Sequence, residues 1–156
     1  MSTDLSASQP LQRTVRPELT RRLLAAAVSL ACGAVLVVAV LLSPDASGAG
    51  THEQMGLPAC GWITHMDIPC PTCGFTTAFA HAADGNILAA FDAQPMGALL
   101  AIATALACLG GLVLVLTGAP VEGLVTRYWT VRWTWIVLGL LLLAWAYKML
   151  RFKEFI

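Results

Sequence analysis

Leu23 to Leu42 reads LLAAAVSLACGAVLVVAVLL, a run with no charged residue and no proline. A helix rises about 1.5 Å per residue, so about 20 such residues cross the hydrocarbon core of a bilayer. The run is preceded by basic residues and followed by small ones near Ala46 to Ala49, as in a signal peptide. It exceeds the usual apolar region of about 7–15 residues, and the tail before it is long, so an uncleaved span is the expectation. Two further runs follow. One is Gly97 to Thr117, opened by Pro95 and broken by Gly118-Ala119-Pro120; the other is Trp133 to Leu150. Trp129, Trp133 and Trp135 mark one end of the third run, and Trp145 and Tyr147 the other, as aromatic residues do at membrane interfaces.

Composition agrees. Of 156 residues, 58% are hydrophobic and 12% charged. Soluble domains run near 45–50% apolar and about 25% charged. A chain of this length cannot hide so much apolar surface inside one core, so the lipid bilayer must solvate part of it. The formal net charge is zero, which gives no case for nucleic acid. The expected fold is an all-α membrane protein with three transmembrane helices and an interfacial amphipathic helix.

Basic residues set the expected orientation. Arg13, Arg16, Arg21 and Arg22 precede the first run, and no Lys or Arg follows until Arg127 and Arg132. Lys148, Arg151 and Lys153 come last, with Lys148 free to snorkel outward from its helix end. With the N-terminus cytoplasmic, three spans put six basic residues inside and three outside. A fourth span after Cys70 would improve that balance but bury Thr76, Thr77, His81 and Asp84, and an Asp at the bilayer centre costs about 2.5–3.5 kcal/mol. The chain therefore divides into a disordered basic cytoplasmic tail (1–22), a first span (23–43), an extracytoplasmic cysteine-containing loop with amphipathic helices (44–96), a second span (97–117), a short cytoplasmic loop (118–132), a third span (133–150) and a tail (151–156). The expected location is the cell membrane, with a second copy or another membrane protein as partner.

Cys32 and Cys108 lie in apolar runs, where Cys behaves as a small hydrophobe. Cys60, Cys70 and Cys73 cluster in the long polar segment, the last two in Cys70-Pro71-Thr72-Cys73-Gly74. Pro71 suits the first position of a helix running to Ala83. On that helix Cys73, Thr77, His81 and Asp84 form a polar stripe, with Phe75, Ala78, Phe79 and Ala82 opposite, as an interfacial helix requires.

Three chemistries fit the cysteines. A Cys-x-x-Cys pair can hold zinc at adjacent tetrahedral corners, with Cys60 as third ligand and His65 or His52 as fourth. His81 is about 12 Å along the helix from Cys73 and does not reach. Alternatively, Cys70 and Cys73 form the redox pair of a membrane-embedded thiol-disulfide oxidoreductase, with the first thiol activated at a helix N-terminus. Such sites sit on a strand–helix–strand fold that this chain lacks. Finally, the role is structural: Cys60 pairs with Cys70 or Cys73 in a disulfide, as an oxidising compartment allows, or the cysteines simply pack where the loop turns into the helix. No nucleophile elbow, phosphate-binding glycine loop or carboxylate pair appears. The reading is thus a non-enzymatic scaffold or accessory subunit with a cysteine knuckle. An oligomeric transporter or channel subunit is the remaining class, and spans with so little intramembrane charge argue against it.

The string Cys70-Pro71-Thr72-Cys73-Gly74-Phe75-Thr76, followed by a helix, a turn at Gly85 and Gln94-Pro95 before a span, resembles the domain-of-unknown-function 2752 family of small bacterial membrane proteins. The resemblance covers roughly residues 60 to 117. The family pattern commonly has Arg where this chain has Thr77 and Asn where it has Gln94. The resemblance implies the membrane architecture and a special status for Cys70, Cys73 and Gly74, and it names no reaction.

Overall fold

The computed structural model describes residues 17–119 and 131–154. The tail before residue 17, most of the 118–132 loop and the last two residues lie outside the described residues. Helix α1 spans Pro17–Leu41, α2 Gly61–Met66, α3 Phe75–Ala83, α4 Ile87–Ala93, α5 Pro95–Thr117 and α6 Val131–Glu154, with a 3₁₀ turn at Thr51–Met55. No strand occurs among the described residues. The helices α1, α5 and α6 are long and apolar enough to cross a membrane. Helices α3 and α4, of 9 and 7 residues, are about 14 Å and 10 Å long, too short to cross.

The first helix begins before the apolar run, so residues 17–22 are helical and not part of a disordered tail. Pro17 suits a first turn, and Glu18 pairs with Arg22 one turn later at 2.9 Å. Helix α5 likewise starts on proline and ends at Gly118, whose φ of 68° closes the last turn onto Leu114 O. Asn86 caps α4 by accepting from Ala89 N at 3.2 Å.

Helices α1 and α5 pack as an antiparallel pair. Arg22 lies beside Gly118, Ala25 and Ser29 beside Gly111, and Gly33 beside Cys108. At the crossing, Ser29 Oγ donates to Cys108 O at 2.9 Å, and Cys108 Sγ reaches back to Ser29 O at 3.5 Å. Small residues allow this approach, and each polar side chain meets a backbone acceptor, as hydrocarbon requires.

Residues 43–94 form a cap over the end of this pair where α1 stops and α5 begins. Its centre is a cluster of small side chains, Ala78, Ala90, Ala93 and Ala98, flanked by Ala82 and Phe91. Gly97 belongs to the same close approach, since a Cβ there would come 3.0 Å from Ala78 Cβ. Helix α6 meets the rest of the chain chiefly at its C-terminal end. There Trp145 donates to Pro69 O, Tyr147 to Asp92, and Lys148 to Gly48 O and Ala93 O.

The polar stripe of α3 does not face water along its length. Thr77 is fully buried, as are Ala78 and Ala80. The 3₁₀ turn covers this side: Thr51 Oγ1 lies 2.9 Å from Thr77 Oγ1 and also accepts Asp45 N. A hydroxyl can be buried where a partner hydroxyl waits, and a period-based reading cannot see a partner 26 residues away.

Candidate metal centre

Helix α3 begins at Phe75, not near Cys70. The CPTCG segment is instead a tight turn, in which Cys73 N donates to Cys70 O at 3.0 Å and Phe75 N to Thr72 O at 3.1 Å. Gly74 has φ +92° and is the reason the helix cannot start earlier. This left-handed residue separates the cysteine turn from the first helical turn. Pro71 therefore belongs to the turn, where its fixed φ serves as well as it would in a helix.

The turn points both of its sulfurs at Cys60, which caps the N-terminus of α2. Cys70 Sγ lies 2.8 Å from Cys73 Sγ, and Cys73 Sγ lies 3.2 Å from Cys60 Sγ. All three sulfurs fall within 4.8 Å of one another, and all are free thiols. Cys70 N donates to Cys73 Sγ at 3.2 Å, the kind of amide–sulfur contact that favours a thiolate. Tetrahedral zinc with Zn–S near 2.3 Å holds its sulfurs about 3.8 Å apart. The cluster would open by about 1 Å to take such an ion, so the donor set fits a soft divalent metal.

The thiols are electrostatically unequal. Burial pushes Cys73 up, and hydrogen bonds to Cys70 and Cys60 push it further. Partial burial also works to raise Cys60. It is outweighed by the amide of Ile63 and the Cys73 thiol, and then by the amide of Trp62 and the Cys70 thiol, which together lower Cys60 to about 7. The two amides stop short of full capping hydrogen bonds.

The two candidate histidines separate. Neither lies in the group of sulfurs within 4.8 Å of one another, and His65 is exposed on α2. His52 lines the cavity of about 330 Å³ that also holds Cys60, Cys70 and Cys73. Its Nδ1 lies 3.1 Å from Ala49 O. When Nδ1–H donates there, Nε2 is the atom left for a metal, and the ring orientation is held.

Two further residues support the turn. Gln94 is fully buried, and its Nε2 donates to Pro71 O at 3.2 Å, tying the turn to the start of α5. Lys148 does not snorkel outward; it is 5% exposed, with Nζ 2.9 Å from Gly48 O and 3.0 Å from Ala93 O. The sequence marked Gln94 only as the residue before Pro95 where the family pattern commonly has Asn, and Lys148 only as a residue free to snorkel outward. The one signal that could have flagged Lys148 was an ionisable residue inside an apolar helix.

No curated protein and no solved structure matches this chain. Residues 60–108 match the family described as "Protein of unknown function (DUF2752)". The matched segment takes in all three clustered cysteines, Gly74, Gln94 and the first half of α5. Over this segment, the chain is similar to the DUF2752 family.

Proposed function

We propose that this protein is a multi-pass membrane scaffold or accessory subunit whose cap is braced by a zinc ion on Cys60, Cys70 and Cys73, with His52 as the fourth ligand. The observation that carries this is the convergence of three sulfurs from two separate segments within 4.8 Å. Loop segments with few apolar side chains need such a staple, because metal binding supplies folding free energy directly. The role is non-enzymatic, since the coordination shell would be filled by protein and leave no open position for a reacting water. The N-terminus is cytoplasmic and the cap lies on the opposite side of the cell membrane, in keeping with the basic residues near α1.

Purified protein should carry about one zinc per chain by elemental analysis, lost on Cys73→Ser. His52→Ala should weaken it, and His65→Ala should leave it unchanged. The reverse result for the two histidines would transfer the fourth position to His65. Absence of zinc, iron or any other stoichiometric metal would overturn the reading.

The 2.8 Å between Cys70 and Cys73 favours a second reading. In it the pair reduces a partner's disulfide, becoming a Cys70–Cys73 disulfide as the partner gains two thiols. Cys73→Ser would then trap Cys70 in a mixed disulfide with the partner, and failure to trap one counts against it.

A further inference from the structure

Lys148 is the feature that the metal reading does not use. It sits near the end of the third membrane-crossing helix, and its ammonium is turned inward and buried. Ionisable groups at such positions are costly, and they persist where a partner inside the protein offsets the cost. Two backbone carbonyls accept from Nζ, but carbonyls are neutral. No carboxylate lies within ion-pair distance of it among the described residues. Asp92, the acid that interacts with it, is engaged by Arg151 and Tyr147. His81, Asp45, Asp92 and Arg151 line one cavity together with Lys148.

Its other neighbour is the cysteine turn. A Cβ on Gly74 would stand 3.3 Å from Lys148 Nζ, 2.7 Å from Gly48 O and 3.2 Å from Ala93 O. The glycine after the second cysteine is thus the point at which the ammonium and both of its acceptors meet the motif. Cys73, the residue before Gly74, is buried, and it interacts electrostatically with Lys148. A divalent ion on three thiolates and a neutral histidine carries one net negative charge. Buried beside a neutral wall, that charge would be expensive; beside one ammonium it is matched.

We infer that Lys148 is the counter-charge of the three-cysteine centre, so that metal binding in the cap is coupled electrostatically to the docking of helix α6. The inference rests on the metal reading above. It adds a residue 75 positions from Cys73 that touches no metal and works by charge.

The full chain in detergent is titrated with Co²⁺, whose thiolate charge-transfer absorption reports the centre, in competition with a chelator. Lys148→Gln keeps a donor for Gly48 O and Ala93 O but removes the charge. Its affinity should fall about 10–100-fold, the range for partners outside the coordination shell, with the absorption spectrum unchanged in shape. Lys148→Arg, which keeps the charge, should recover most of the loss. Arg151→Gln removes a cation that Asp92 already engages, and it should leave affinity within about twofold. Lys148→Gln binding as tightly as the native chain overturns the inference while leaving the metal reading intact; a native chain without metal overturns both. If Lys148→Gln does not fold, the charge match is read at Cys60. Cys60→Asp keeps the centre's net charge and Cys60→His neutralises it, so the Asp variant should bind more tightly although His is the better zinc ligand. Tighter binding by the His variant overturns the inference.

Discussion

At the residue scale, the three thiols differ through position alone. Cys60 lies at the open end of a short helix, with amides and thiols around it, and its pKa falls to about 7 from the ordinary 9. Cys73 is buried and is pushed upward. Since the folded value of Cys60 is the lower one, its contribution to stability is complete above the unfolded value near 9 and is lost as pH falls through 7. In metal-free protein, the alkylation rate of Cys60 should therefore rise with a midpoint near pH 7, and Cys73 should react far more slowly. Mass spectrometry after timed alkylation checks this, and a Cys60 midpoint near 9 would contradict it. Gly74 offers a second measurement. Its φ of +92° costs a side chain about 1–2 kcal/mol. The added Cβ would also strike Gly48 O at 2.7 Å. Gly85, with φ +78° and nothing within 4 Å of a Cβ, carries only the first cost. Gly74→Ala should lower the melting temperature clearly more than Gly85→Ala; equal losses would mean that the cap gives way at Gly74.

At the element scale, the α1–α5 pair depends on a few small residues. A Cβ on Gly111 would collide with Ser29 Oγ and come 3.0 Å from Ala25 O, whereas Gly110 has open space. Overpacking of this kind costs about 1–3 kcal/mol. Gly111→Ala should destabilise the protein in detergent by that amount, and Gly110→Ala should be close to neutral. Thermal or denaturant unfolding followed by tryptophan fluorescence gives the comparison. The lengths of the long helices were legible from apolar runs, because lipid imposes the same demand on every residue of a span. Their ends were less so: α1 runs back to Pro17 because an ion pair and a proline extend it into polar sequence.

On the scale of the whole molecule, three helix ends and the cap meet in one place. The C-terminal end of α1, the start of α5 and the C-terminal end of α6 converge there, and the opposite end joins Arg22 to Gly118. With the N-terminus cytoplasmic, Cys60 should be labelled in intact cells by a membrane-impermeant thiol reagent, after metal removal. Labelling only after lysis would reverse the proposed orientation. Helix α6 leaves Trp133 and Trp135 exposed near its N-terminal end and Leu143 exposed further along.

The sequence alone determined that the chain is helical and membrane-embedded, because hydrophobic run length and charge spacing are local properties tied to bilayer thickness. It also singled out Cys60, Cys70, Cys73 and Gly74, since a cysteine pair separated by two residues constrains its own geometry. It could not place Thr77 inside or turn Lys148 inward. Those depend on contacts between residues 26 to 100 positions apart. Only the folded cap decides them, because the cost of burying a hydroxyl or an ammonium depends on which partner the tertiary structure sets beside it.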